Sequence, residues 1–296
     1  MQERKIDVDV LGDLREHNVS ELCEIDIDKE MWEHGYLFLR NAVSSEDVIR
    51  ARIEVFGRLY EVGEVTAADS SGVFTGESHR EEIVGKLGEF WQSVSEGEAL
   101  RKVTHGDEIK RVMDTFFAEQ SRAHDYLFLR PGVPGRSTHL HYDKPFFARG
   151  SDRIVTVWTA LGDIPVTRGP LVVIEGSQRF DDLLEAAYAV DYESSDTPLV
   201  QVMQHPEKLA RERGSRLLTA DFKPGDVVIF AMSLLHGSLD NMSMSGKIRL
   251  SSDVRWQPAS DPVDPRYCGP SPSGTTGAGY SELNGAKPLT APWHTR

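Results

Sequence analysis

The chain has only two cysteines in 296 residues, Cys23 and Cys268, and no CxxC pair, so neither a disulfide framework nor a thiolate metal site is expected. No run approaches the ~20 apolar residues that cross a bilayer. The opening MQERKIDVDVLGDLREH is too charged for a secretory signal. Positive charge is the minority sign: 33 Lys and Arg against 47 Asp and Glu leave a net charge of −14, which repels phosphate backbones and anionic lipid. A cytoplasmic protein acting on a small molecule, with no nucleic-acid or membrane partner, is expected, and no oligomeric state follows. The last residues, His294-Thr295-Arg296, are not the peroxisomal Ser-Lys-Leu address. P-loop, GxGxxG, HExxH and GxSxG motifs are also missing, which removes the usual signals of phosphoryl transfer, Rossmann hydride transfer, zincin proteolysis and nucleophile-elbow hydrolysis.

What is present is a globular composition, 39% hydrophobic, whose grammar changes along the chain. One domain, residues 1–296, is read in three parts. Residues 1–124 are mostly helical after a short strand at Tyr36 to Arg40. Ser44 or Ser45 caps a helix with an apolar stripe at Ile49, Ile53, Phe56 and Tyr60. Similar stripes run through Ile83, Leu87, Phe90, Trp91 and Val94, and through Ile109, Val112, Met113, Phe116 and Phe117. Residues 125–257 hold β-rich runs broken by Gly and Pro: DYLFLRPG, STHLHYD, RIVTVWTAL, PLVVIEGS, DVVIFAMSLLH and KIRLSSDVRW. Runs joined mostly by loops favour an antiparallel sandwich or barrel over βαβ winding. A helix near Asp181 to Tyr188 and a long loop to about Ser215 interrupt them. Residues 258–296, rich in Pro, Gly, Ser and Thr, read as a C-terminal wrap.

The histidines carry the chemical lead. In Thr138-His139-Leu140-His141-Tyr142-Asp143, a strand would set His141 and Asp143 on one face. A 2-His-1-carboxylate facial triad binds Fe(II) and leaves three positions open, so a second histidine must come from elsewhere. His236 suits it, ending the run that follows the Lys223-Pro224-Gly225-Asp226 turn. Two other readings stand beside this one. His141 and Asp143 can form a plain ion pair, or His139, His141 and His236 can make a cupin-type site, which the sequence after Asp143 disfavours because it lacks the usual Glu. In the last β run Arg249, Ser251, Asp253 and Arg255 share a face opposite Ile248, Leu250, Val254 and Trp256. That face is either solvated or turned inward, where Arg249 would grip a carboxylate by its fork and Ser251 would add a hydroxyl.

Taken in order, GYLFLRNAVSSEDV, FLRPGVPGRSTHLHYD, VWTALGDIPVTRGPLVVIEGSQ, PGDVVIFAMSLLHGSLDNMS and IRLSSDVRW resemble the phytanoyl-CoA dioxygenase family of Fe(II)- and 2-oxoglutarate-dependent oxygenases. The resemblance spans most of the chain. It implies a mainly β fold with flanking α structure, a double-stranded β-helix (jelly-roll, cupin-like barrel) buttressed by N-terminal helices. It also implies iron ligands at His141, Asp143 and His236, and 2-oxoglutarate held by Arg249, thirteen residues after His236. Trp158 and Ser238 match positions lining the 2-oxoglutarate pocket, and Tyr126 and Arg130 match further contacts. Gly176-Ser177-Gln178 departs from the family's Gly-Ser-His without touching the ligand set. Halogenating relatives carry a small residue where Asp143 stands, so the carboxylate points to hydroxylation of a small organic metabolite such as a natural-product intermediate, with O2 consumed and succinate and CO2 released. Lys144, Phe146, Phe147 and the segment from about Asp191 to Ser215 are candidate substrate contacts. The alternatives are a metal-dependent cupin enzyme that does not use 2-oxoglutarate, and a non-catalytic ligand-binding barrel.

Overall fold

A computed structural model of the chain describes residues 1–84, 87–191, 202, 204–270 and 272–274. Its elements, in chain order, are β1 (Leu11–Asp13), β2 (Glu16–Asn18), α1 (Ile27–His34), β3 (Tyr36–Arg40), α2 (Ser45–Glu61), α3 (Arg80–Ile83), α4 (Leu87–Ser95), α5 (Glu98–His105) and α6 (Asp107–Phe117). Then follow β4 (Ser121–Gly132), β5 (Val155–Ala160), β6 (Leu171–Ile174), α7 (Asp181–Tyr188), α8 (Pro206–Glu212), β7 (Leu217–Thr219), β8 (Val227–Ala231), β9 (His236–Ser238) and β10 (Arg249–Pro258). The strands form a six-stranded sheet, β2-β3-β8-β5-β10-β4, and a four-stranded sheet, β1-β7-β6-β9. Pairing is antiparallel except for β2 with β3 and β1 with β7.

Period-two alternation explains the layering. On the large sheet Leu37, Leu39, Val155, Val157, Val227 and Ile229 face a core shared with Val55 and Phe56 of α2, Trp91 of α4 and Met113 of α6. Their neighbours Tyr36, Phe38, Trp158, Ala160, Val228 and Phe230 face the other way, onto Leu171 and Val173 of β6 and Leu218 of β7. Both faces of the large sheet are therefore apolar, which is why its strands read as unbroken hydrophobic runs. The outer face of the small sheet, Val172, Ile174 and Leu217, packs against Leu209 and Ala210 of α8 and Leu183 and Leu184 of α7. This arrangement of a helix-backed large sheet facing a smaller one is the expected jelly-roll with flanking helices.

Several expectations change. In α2 Ser44 does cap the helix, accepting from Asp47 N–H, but Ile53 and Tyr60 are 42% and 51% exposed. The buried line is Val48, Arg52, Val55, Phe56 and Leu59. The shift is caused by a charged residue on the core side. Arg52 donates to Ser70 O at 2.7 Å and to Leu161 O at 2.8 Å, and stacks on Phe56. Ile83 is likewise exposed, while Phe90, Trp91 and Val94 are buried as expected. The segment STHLHYD is not a strand but irregular chain with a single bridge at His141. The run DVVIFAMSLLH divides, because β8 ends at Ala231 and His236 opens β9 in the other sheet. The long loop after α7 contains α8. Most of the expected C-terminal wrap, and residues 192–201 of the expected loop, lie outside the described residues.

Candidate active site

The space between the sheets is largely apolar, and its polar end lies against β10. Arg249, Ser251, Asp253 and Arg255 face this side, and none is more than 8% exposed. The solvated-face reading of β10 is thereby set aside. A buried charge is costly unless it is paired or serves a ligand, so the polar face marks a site.

Three side chains meet beside it. One ligand atom each from His141, Asp143 and His236 lies within 4.8 Å of the others, and no second group of three such residues comes together among the described residues. His141 Nε2 is 3.6 Å from Asp143 Oδ1, and His236 Nε2 is 3.9 Å from Asp143 Oδ2. The two histidines are fixed in the same way. Nδ1 of His141 donates to His139 O at 2.8 Å, and Nδ1 of His236 donates to Leu234 O at 3.0 Å. With Nδ1 carrying the proton, each Nε2 lone pair is turned toward the other ligands, the tautomer that metal binding needs. Burial, reinforced by His141, pushes His236 down to about 4, so its ring is neutral at pH 7. Burial pushes Asp143 up, but Arg255 and then the two histidines outweigh it and hold the carboxyl well below its usual range. A hard N/O donor set of two imidazoles and one ionised carboxylate fits Fe(II).

Asp143 reaches this point by another route than the expected strand. Its backbone is αR, at the start of a short 3₁₀ turn over Lys144–Phe146. The carboxylate is held by Thr156 Oγ1 at 2.7 Å and Arg255 Nη2 at 2.5 Å. Removing one partner of a buried pair of this kind costs about 3–5 kcal/mol. His139 lends the site its backbone carbonyl and not its ring, which disposes of the three-histidine cupin reading.

A cavity adjoining the ligands is lined by Arg130, Thr138, Trp158, Ser238, Arg249 and Asp253, among others. Arg249 donates Nη1 to Ser251 Oγ at 2.7 Å, while its Nε is buried without a partner. Burial lowers it to about 10, so it stays cationic at pH 7. Ser251 thus orients the arginine, where the sequence reading gave it a direct contact. Ser238 Oγ accepts from Thr138 N–H at 2.7 Å. Trp158 lines the cavity and packs against Phe222. Arg130 pairs with Asp253 at 2.9 Å inside the cavity. Tyr126 does not reach it, and packs instead on Phe128 and Tyr267. Phe146 is buried in the larger core, Phe147 packs on the Arg255 guanidinium and Lys144 pairs with Asp152 at 3.1 Å, and none of the three borders the cavity. Sequence reasoning missed Thr156 and Thr138, whose only signal was the alternation of Thr156 with Trp158 on β5. It also missed Ser177, whose Oγ accepts from Leu235 N–H at 2.9 Å, next to His236.

A family model described as phytanoyl-CoA dioxygenase matches residues 31–249. Among curated proteins, the chain is 29% identical to the peroxisomal phytanoyl-CoA dioxygenase of Bos taurus over 252 residues, 80% of this chain and 69% of that one. It is 26% identical to the 1-deoxypentalenic acid 11-beta-hydroxylase of Streptomyces arenae over 247 residues, 79% of this chain and 81% of that one. Among solved structures, it is similar in fold to the non-heme alpha ketoglutarate dependent epimerase SnoN from nogalamycin biosynthesis, with a TM-score of 0.53 at 15% identity over 82% and 83% of the two chains. EctD from S. alaskensis matches with a TM-score of 0.52 at 17% identity over 84% and 81%.

Proposed function

The chain belongs to the phytanoyl-CoA dioxygenase family of non-haem iron, 2-oxoglutarate-dependent oxygenases, and from that premise we propose that His141, Asp143 and His236 hold the iron and Arg249 receives 2-oxoglutarate. The observation that carries this reading is the convergence of three ionically and tautomerically prepared ligands beside a buried arginine with an unpartnered Nε. Iron bound there supplies the oxidative chemistry that couples 2-oxoglutarate and O2 to succinate, CO2 and an oxidised substrate.

The protein's own part is binding and orientation. Arg249, held by Ser251, accepts the far carboxylate of 2-oxoglutarate, and Trp158 and Ser238 wall its pocket. Both imidazoles keep their protons on Nδ1, away from the metal. The two-layer packing around Trp158, Phe230 and Leu171 excludes water. The substrate is a small organic metabolite, a natural-product intermediate, and the outcome is hydroxylation. The hydroxylase name of the Streptomyces relative supports this. We also take residues 1–296 as one catalytic domain working in the cytoplasm without nucleic-acid or membrane partners. A net charge of −14, which repels phosphate backbones and anionic lipid, supports the absence of nucleic-acid and membrane-surface partners.

The test is succinate formation from 2-oxoglutarate with Fe(II) and O2 supplied or withheld. Turnover should need both and vanish in His141→Ala. Undiminished turnover in that variant after chelation and iron reloading overturns the ligand assignment.

A further inference from the structure

The Asp143 carboxylate is anchored through one oxygen. Oδ2 takes both hydrogen bonds, from Thr156 Oγ1 at 2.7 Å and Arg255 Nη2 at 2.5 Å, whereas Oδ1 faces His141 Nε2 at 3.6 Å, too long for a hydrogen bond. Two short bonds occupy the lone pairs of Oδ2, so Oδ1 is the oxygen left with donor capacity. Arg255 has little freedom to let go. Its guanidinium lies 4.4 Å from the Phe128 ring centre and 4.5 Å from that of Phe147, and the residue is 2% exposed. Its Nε and Nη1 are buried without hydrogen-bond partners. A side chain kept only to fill the space between two rings would not carry two unsatisfied donors, which an apolar residue of similar volume avoids. The ionic contact with Asp143 is what distinguishes an arginine here.

We propose that Arg255 is a positioning residue: clamped by Phe128 and Phe147 and assisted by Thr156, it ties down Asp143 Oδ2 and so presents Oδ1 to the metal. This rests on the reading of His141, Asp143 and His236 as the iron ligands. It gives Arg255 a role separate from that of Arg249, six residues earlier on the same strand face, which serves the cosubstrate. Partners that orient a ligating carboxylate typically change metal affinity by 10–100-fold when removed.

The experiment is anaerobic calorimetric titration of the full chain with Fe(II). It compares wild type with Arg255→Met, which fills the ring clamp without donors, Arg255→Lys, Thr156→Val, Asp143→Ala and the double variant Asp143→Ala/Arg255→Met, with His141→Ala as control. Arg255→Met should weaken Fe(II) binding by about 10–100-fold, Arg255→Lys should recover part of the loss, and Thr156→Val should show a smaller loss in the same direction. In the Asp143→Ala background the Arg255 substitution should have no further effect, because its contact is already gone. A folded Arg255→Met with wild-type affinity overturns the proposal, and so does an equal loss in both backgrounds, which would mark a general effect on the fold. Should Arg255→Met fail to fold, unchanged affinity in Thr156→Val and Arg255→Lys overturns it equally. If His141→Ala binds Fe(II) like wild type, the ligand reading itself falls, and that result is distinct from any Arg255 outcome.

Discussion

The backbones of His141 and His236 are hydrogen-bonded to each other in both directions, His141 N–H to His236 O at 2.9 Å and His236 N–H to His141 O at 3.1 Å. This reciprocal antiparallel pair joins residues far apart in sequence and sets their rings 4.3 Å apart, centroid to centroid. Beside it Ser238 N–H donates to Thr138 O at 3.0 Å, so the spacing of the two imidazoles depends on how closely the segment that carries His141 approaches β9.

Gly237 should be intolerant of a side chain for this reason. A Cβ there would stand 2.7 Å from Thr138 O and 3.1 Å from His139 O, backbone atoms that cannot rotate away. Gly237→Ala is expected to keep the fold by circular dichroism and yet weaken Fe(II) binding by roughly tenfold or more, since a site loosened by about 1 Å loses its function. Wild-type affinity in this variant would show that the bridge does not set ligand spacing.

Arg249→Lys keeps the charge and loses the two-pronged geometry. The KM for 2-oxoglutarate should rise by a larger factor than kcat falls, because the contact is made equally in the ground and transition states. Steady-state kinetics with varied 2-oxoglutarate decides it, and an unchanged KM would remove Arg249 from cosubstrate binding.

Much of this site was legible before the fold was known, for a physical reason. The β10 alternation of Arg249, Ser251, Asp253 and Arg255 with Leu250, Val254 and Trp256 survives because a strand's period of two is rigid and both of its faces are buried. The fold brings together His141, Asp143 and His236, the three side chains read as ligands. Their delivery was not legible, because Asp143 sits on irregular αR backbone and no periodicity encodes that. The partner of Asp143 was equally hidden: Arg255 reads as one more residue of the strand face until Phe128 and Phe147 close around it. The α2 stripe was misplaced by one position because Arg52, a charged residue, satisfies backbone carbonyls inside the core. Strands β1, β2 and β7 have three residues each, too few to show alternation. Helix α8 was read as loop although His205 caps it and Pro206 opens it, signals that a seven-residue segment makes easy to overlook.

Acid should weaken the fold through His124. Its ring is fully buried, Nε2 pairs with Gln257 Oε1 at 3.0 Å, and burial pushes it down to about 4. The folded value lies below the ordinary 6.5, so between these limits the unfolded chain binds the proton and the folded chain does not. Its stabilisation is complete above pH 6.5 and is lost as pH falls toward 4. Buried His105 and His236 are pushed down to about 4 as well, so urea unfolding of the metal-free protein at pH 7 and pH 4.5 should show a loss that is smaller in His124→Phe than in wild type by about 1–3 kcal/mol. Equal pH sensitivity in the two proteins would contradict this.

The most direct measurement is anaerobic titration of the Fe(II)-loaded protein with 2-oxoglutarate, followed in the visible region. If His141, Asp143 and His236 hold iron with positions left open and Arg249 receives the far carboxylate, wild type develops a weak charge-transfer band that saturates with 2-oxoglutarate. The band then requires more 2-oxoglutarate in Arg249→Lys and is lost in His236→Ala. Wild-type protein that holds iron and gives no band, or a band that survives unchanged in His236→Ala, would contradict the site as assigned.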